Sequence, residues 1–195
     1  MKRAFDFVLS LLGLIIFFPV LLVISILIIL DSKGGVFFGQ KRVGKDETLF
    51  KLIKFRTMHT GSDKKGLLTV GHKDKRITHV GYFLRKSKLD ELPQLLNILK
   101  GDMSFVGPRP EVPRYVEMYN EDQLKVLQVR PGLTDYASLE YIHESELLAK
   151  SENPEKTYIE EIMPAKLKLN QKYIREKSFF TDLKIIGKTM LKIIK

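Results

Sequence analysis

The chain has no cysteine and no tryptophan. Without cysteine there can be no disulfide, no zinc–thiolate site and no thiol nucleophile. Acidic residues are also in deficit, 23 against 33 Lys and Arg, for a formal net charge of +10. A balance this basic selects anionic partners: nucleic acid, anionic lipid or a phosphorylated substrate. The 195 residues suit one domain with a small appendage, and no internal repeat or low-complexity tract is visible. Mean hydropathy is near zero, yet the apolar residues are unevenly placed.

Most of the imbalance lies at the N-terminus. Phe7 to Leu30 contains no charged residue. At ~1.5 Å per helical residue such a run reaches the ~30 Å of a bilayer core. It is too long for a signal-peptide core, and Leu30-Asp31-Ser32-Lys33 offers no small-x-small cleavage site, so the segment is read as retained. Pro19 falls at its midpoint, where a missing N–H and a steric clash kink a helix. Both flanks are basic, Lys2 and Arg3 before and Lys33, Lys41 and Arg42 after, and basic flanks favour the cytoplasmic side. The residues leave two geometries open: a single span that tolerates its proline, or a re-entrant helix, broken at Pro19, that returns to the face it entered from.

Gly34-Gly35 closes this segment, and Val36 to Phe55 reads as short strands around a turn at Gly44-Lys45-Asp46. Thr60 to Lys75 is rich in Gly and Lys and reads as a loop. Leu89, Leu92, Leu95, Leu96 and Leu99 recur at helical spacing. Gly107-Pro108-Arg109-Pro110 makes a turn, a helix is expected over about 113–129, and Ile159, Ile162, Leu169 and Tyr173 mark another that is interrupted near Pro164. In the last segment Leu183, Ile186, Met190 and Ile194 form one face and Lys184, Lys188 and Lys192 another, with Asp182 as N-cap. Such a basic amphipathic helix suits an anionic membrane interface. The expected fold class is therefore α+β and helix-rich, with residues 1–33 in the membrane and residues 34–195 forming a small catalytic domain.

Asp90 and Glu91 are adjacent, which by itself usually means a solvated surface pair. Pro93 belongs in the first turn of a helix, so the leucine-rich helix is expected to begin near Asp90. Free N–H groups and the positive end of the dipole would then surround both carboxylates and keep Asp90 ionised. A carboxylate can attack phosphorus to give an acyl phosphate. Repulsion between two anions must be relieved, and Arg85, Lys86, Arg109, Arg114 and Arg130 are the nearby cations. Paired carboxylates with a diphosphate also suit Mg²⁺, with Asp90 and Glu91 as its candidate ligands. His72 and His79 fit no metal spacing and are read as structural or solvated.

Four stretches taken together resemble one family: Lys54-Phe55-Arg56-Thr57-Met58; Arg76-Ile77-Thr78 leading to Gly81 and Phe83-Leu84-Arg85-Lys86; Leu89-Asp90-Glu91-Leu92-Pro93-Gln94-Leu95; and Gly101-Asp102-Met103-Ser104-Phe105-Val106-Gly107-Pro108-Arg109-Pro110-Glu111. They resemble the bacterial sugar transferases called monotopic phosphoglycosyl transferases, from the apolar segment to about Gly132. The resemblance implies a proline-broken re-entrant membrane helix and a catalytic domain, with interfacial helices, on the cytoplasmic face of the bacterial inner membrane. It implies Asp90 as nucleophile and Glu91 as its support, through Mg²⁺ or proton handling. Arg85 and Arg109 would hold phosphate, with Arg56, Lys54, Pro108 and Pro110 completing the phosphate-binding set. It further implies ping-pong transfer: a UDP-sugar, N-acetylated by family habit, gives UMP and a phosphosugar on Asp90, which polyprenyl (undecaprenyl) phosphate then takes. Such products start capsule, O-antigen or glycoprotein glycan assembly. Two features depart from the pattern. Phe18 stands where many members have Ser before the proline, and Leu133-Thr134-Asp135-Tyr136-Ala137-Ser138 replaces the usual continuation after Pro131-Gly132, which leaves the sugar open.

Two other classes compete. A membrane-tethered nucleic-acid-binding protein would use the net charge, but the basic residues are spread out and no recognition motif is present, so no nucleic-acid partner is expected. A non-catalytic scaffold would leave the acid pair merely exposed. Membrane lipid is an expected partner, and exposed apolar surface leaves room for a homodimer.

Overall fold

The computed structural model describes residues 2–62, 68–71 and 74–194. Its first element is α1 (Lys2–Asp31), a 30-residue helix with Pro19 inside it. The chain stays helical through the proline, so the expected break is not a gap in the helix. This helix is long and apolar enough to cross a membrane, and only 11% of its apolar window is buried.

The contacts of α1 fall on either side of its middle, with Gly13 and Leu14 reaching Leu95 and its neighbours. At the first turn Lys2 Nζ donates to Val106 O (2.9 Å), Tyr173 Oη (2.9 Å) and Asp182 Oδ2 (2.5 Å). Arg3 donates to the carbonyls of Ile98 and Leu99 at 2.5 and 2.6 Å. Asp6, buried, accepts from Ser104 Oγ and Phe105 N. At the far end Ile24 and Ile28 pack with Phe55 and Leu84. Between these anchors, residues 15–20 are exposed on every side, with Phe18 and Pro19 among them.

The polar domain is built from short pieces. Strands β1 (Phe37–Val43) and β2 (Leu49–Phe55) pair antiparallel, from Phe37 opposite Phe55 to Val43 opposite Leu49. The turn between them lies where the glycine predicted it, and Gly44 N closes it on Thr48 O at 2.7 Å. Next come α2 (His79–Lys86), α3 (Gln94–Lys100) and β3 (Ser104–Val106). The helix expected over 113–129 is instead α4 (Pro113–Val116), α5 (Glu121–Leu124) and a 3-10 turn, Lys125–Gln128. The division falls at Asn120, whose side chain caps Gln123 N while Gln123 caps Asn120 N, a capping box that starts a new helix. Strand β4 (Gly132–Thr134) is followed by α6 (Tyr136–Glu140), α7 (Glu144–Ala149) and α8 (Pro154–Thr157). A π turn, Tyr158–Ile162, leads into α9 (Met163–Glu176). Pro164 lies in the first turn of α9, where its missing N–H is harmless, and so does not interrupt it.

The last helix is α10 (Phe179–Ile194). It begins before Asp182, which is no N-cap: that carboxylate is buried and ties Lys2 and Tyr173 together. Ile185 faces the core, whereas Phe180, Leu183, Met190 and Leu191 are exposed. The outward apolar face is thus surplus to the domain's packing.

One crossing fixes the position of the proline turn. Strand β3 runs parallel to β4, and Gly107 N and Gly132 N donate to Thr134 O and Pro108 O. A Cβ on Gly132 would fall 2.1 Å from Gly107 N, and one on Gly107 2.4 Å from Arg130 O. Only glycine at both positions allows this approach, and Pro108-Arg109-Pro110 leaves directly from it.

Residues 63–67 and 72–73 of the loop expected from Thr60 to Lys75, His72 included, lie outside the described residues. His79 opens α2 on the surface, as a solvated histidine should.

Candidate active site

The acid pair does not cap a helix. Asp90 and Glu91 lie in a 3-10 turn, Leu89–Glu91, preceded by Lys88 in the left-handed region at φ 58°. An α-helix starting at Asp90 would need a hydrogen bond from residue 93 to Leu89 O, and Pro93 has no N–H to give. Leu92 N takes that carbonyl at 3.2 Å, Glu91 N takes Lys88 O, and α3 starts only at Gln94. The nearby N–H groups are therefore largely used within the turn.

Side chains from two other segments converge on Glu91. Lys54, near the end of β2, places Nζ 2.8 Å from Glu91 Oε1. Arg109, from the proline turn, donates Nη2 to Glu91 Oε1 and Nη1 to Oε2 at 3.2 Å. The same arginine is steadied by Leu133 O (3.3 Å to Nη1) and by Asp135 Oδ2, which accepts from Arg109 N at 3.3 Å. Burial favours a neutral Glu91, but Arg109 and Lys54 overcome it and hold this carboxyl far below the usual carboxylate range. Glu91 in turn raises the guanidinium of Arg109, while burial lowers Lys54 against the pull of Glu91.

Asp90 differs sharply from its neighbour. It is 7% exposed, and its Oδ1 is buried with no hydrogen-bond partner. Burial pushes its carboxyl up, and the charge on Glu91 adds to the push; Lys54, Arg85 and Lys88 oppose. The expectation that helix N–H groups keep Asp90 ionised is thus corrected: cations hold down a carboxyl that burial and Glu91 raise. Arg85, in the last turn of α2, acts through space, its Nε bonded to Thr57 Oγ1 (3.0 Å) and its Nη1 to Thr69 Oγ1 (3.2 Å).

Other predicted residues are placed differently. Arg56 is buried at the foot of α1, donating to Ser32 Oγ (2.6 Å), Ser32 O (2.8 Å) and Gly35 O (2.5 Å). It closes the C-terminus of α1 instead of reaching the acid pair. Pro108 O accepts from Gly132 N, and Pro110 O from Arg42 Nη1 at 3.0 Å, so both serve the scaffold of the turn. Arg114 pairs with Glu155 on the surface, Arg130 donates to Gly101 O, and Lys86 is exposed. A further group escaped sequence reasoning. Glu111 binds Arg42 at 3.0 Å and accepts from Tyr158 Oη, which backs the proline turn from behind. Asp135 also escaped, although its three-residue spacing to Ser138, whose N it caps at 2.6 Å, is an N-cap signal.

Among the described residues no group of three or more His, Asp or Glu could hold a metal. Both Glu91 oxygens are already bound by cations, so the pair does not offer two free carboxylates to Mg²⁺. Of the two acids only Asp90 has an oxygen, Oδ1, that no protein group binds.

A lone buried carboxylate oxygen walled by cations, mounted beside an apolar helix, is the equipment of an enzyme that transfers charged groups. Residues 1–195 match the family model described as bacterial sugar transferase, and the chain belongs to that family. It is 37% identical to the UDP-glucose:undecaprenyl-phosphate glucose-1-phosphate transferase of Escherichia coli, over 98% of this chain and 40% of that protein. It is 34% identical to the UDP-N-acetylgalactosamine-undecaprenyl-phosphate N-acetylgalactosaminephosphotransferase of Aeromonas hydrophila, over 99% and 43%. A UDP-glucose:undecaprenyl-phosphate glucose-1-phosphate transferase of Caulobacter vibrioides is 35% identical over 97% and 68%. The chain thus spans about two-fifths of the length of the first two relatives.

Proposed function

We propose that the chain moves a phosphosugar from a UDP-sugar to undecaprenyl phosphate, with Asp90 as the covalent nucleophile and UMP as the first product. The observation that carries this is the division of labour within the acid pair. Glu91 is neutralised by Arg109 and Lys54, whereas Asp90 Oδ1 is bound to nothing. A nucleophile needs a free lone pair, and a hydrogen-bonded carboxylate spends its own.

Arg109 and Lys54 then have a second use. When the diphosphate enters, they can share their donors between Glu91 and the phosphate oxygens, with Arg85 adding charge through space. Arg56 is assigned to holding α1, not phosphate. Mg²⁺, when carried in by the diphosphate, would neutralise phosphate charge and meet the protein at Asp90 alone. Covalent transfer lets UMP leave before the lipid phosphate arrives, so the two anions never share the site.

The anchor reading follows from α1. Both of its ends are tied to one polar domain, while residues 15–20 stand free around Pro19. A helix that dips its middle into one leaflet and returns matches this pattern. A straight span would carry Lys2, Arg3 and Asp6 across the bilayer, away from Asp182, Ile98 and Ser104. Tags at the two ends should both be reached from the cytoplasm, and protection of either would establish a span.

The relatives' donors carry glucose in some and N-acetylgalactosamine in others. UMP release across UDP-glucose, UDP-N-acetylglucosamine and UDP-N-acetylgalactosamine, with and without undecaprenyl phosphate, tests the function. One donor should give a stoichiometric burst of UMP without acceptor and sustained turnover with it. No release from any donor would refute the proposal, and release that strictly requires acceptor would refute the covalent route.

A further inference from the structure

Helix α3 carries two amides sealed from solvent, Gln94 and Asn97, each 1% exposed. Asn97 is fully engaged: Nδ2 donates to Lys51 O (2.8 Å) and Asp102 Oδ2 (3.2 Å), and Oδ1 accepts from Ile53 N (3.0 Å). Gln94 differs, for its Nε2 is buried and has no partner. A buried donor left unmet costs about 1–3 kcal/mol, and native interiors rarely tolerate one without a reason.

The reason lies one turn back. Gln94 is four residues after Asp90, and Leu92 and Pro93 between them have helical dihedrals. The 3-10 turn of Asp90 runs straight on toward α3, so the two side chains leave the backbone little more than one turn apart. Helical side chains also lean toward the N-terminus, which carries the Gln94 amide back over the acid turn. An unmet buried donor and an unmet buried acceptor, Asp90 Oδ1, thus leave one short stretch of chain without bonding to each other.

Resting on the proposed reaction, we infer that Gln94 is a catalytic residue that donates to a non-bridging oxygen of the phosphoryl group while Asp90 Oδ1 is bonded to phosphorus. Both orphaned atoms are satisfied at one moment, during transfer. In the first step the Oδ1–P bond forms at the sugar-bearing phosphorus. The P–O bond to UMP breaks, and the electron pair leaves with UMP. Charge gathers on the non-bridging oxygens as the bonds exchange, and Gln94 meets it with a neutral donor. Lys54 and Arg109, committed to Glu91, approach from elsewhere. In the second step the lipid phosphate oxygen bonds to the same phosphorus and the Asp90 carboxylate departs, so the amide serves both half-reactions. A neutral amide also suits its place, since a further cation there would pair with Asp90 and dull it as a nucleophile.

The test is single-turnover UMP release by the full-length protein in detergent, using whichever of UDP-glucose or UDP-N-acetylgalactosamine the wild type accepts. Gln94→Met keeps the side chain's length and removes the donor. The release rate should fall about 100-fold, as for loss of one oxyanion donor, with KM for the donor and the melting temperature little changed. Gln94→Glu, which puts an acceptor in place of the donor, should fall further. A Gln94→Met enzyme at wild-type speed would overturn the inference, as would a rate loss matched by a lower melting temperature, which would mark a packing role. Wild type that releases no UMP from either sugar nucleotide would instead sink the proposed reaction, and this inference with it.

Discussion

Asp90→Asn is expected to abolish turnover, leave no covalent adduct, and yet fold at least as well as the wild type. Asparagine matches the shape but cannot form an acyl phosphate, so the loss should reach the limit of detection. The stability claim follows from the direction in which burial pushes the Asp90 carboxyl. A carboxyl raised in the folded state contributes stability at low pH and loses it as pH rises through the folded value. At neutral pH the ionised group is therefore a cost to the fold, and asparagine removes it. Thermal melting at pH 7 checks this, and a large drop would show Asp90 to be structural. The same direction applies to catalysis. With ionised Asp90 as the proposed nucleophile, UMP release by wild type should decline with acid from a pH above the ordinary carboxylate value of about 4.

Glu91→Gln should fail in a different way. Arg109 and Lys54 would be left facing one another in a largely enclosed site without their anion. Breaking one side of a buried ion pair costs on the order of 3 kcal/mol, roughly a 10 °C drop in melting temperature for a chain of this size. Turnover should slow strongly but persist, and the adduct on Asp90 should still form, since glutamine can accept a hydrogen bond from one cation. Adding Lys54→Met should restore part of the lost stability by removing one stranded charge. Equal and complete loss of adduct in Glu91→Gln and Asp90→Asn would show that the two acids share the covalent role.

The opposite directions of these two neighbours explain what could and could not be seen in the sequence. The hairpin was legible because Gly44 marks its turn, and α1 because no charge interrupts Phe7 to Leu30. The acid pair and the proline turn were legible as a constellation. The start of the helix was misplaced because Pro93 was allowed into a first turn without asking which carbonyl its missing N–H would orphan. Arg56 belongs to the phosphate set only by the family resemblance of Lys54-Phe55-Arg56-Thr57-Met58. The structure turns it onto Ser32 and Gly35; β2 ends at Phe55, so the alternation that would set Arg56 on the same side as Lys54 no longer holds there. Which acid is free was not legible at all. That depends on Lys54 and Arg109, 37 and 18 positions away, both choosing Glu91. Nor could the orphaned Gln94 be read, since Asn97 on the same helix has the same polarity and finds every partner.

The crossing of Gly107 over Gly132 shows how the fold supports this choice. It holds Arg109 at a fixed reach from Glu91, and Asp135 and Leu133 on β4 and just beyond it complete the grip. Leu133 to Ser138, one of the two departures from the family pattern, starts at this same point.

The central claim is a bond between Asp90 and phosphorus, and peptide mass spectrometry reads it directly. The protein is incubated with its donor UDP-sugar in the absence of lipid phosphate, quenched and digested. The account predicts one added phosphosugar on the peptide carrying Asp90, discharged when undecaprenyl phosphate is supplied. The same mass on another residue, or steady transfer with Asp90 never modified, would contradict it.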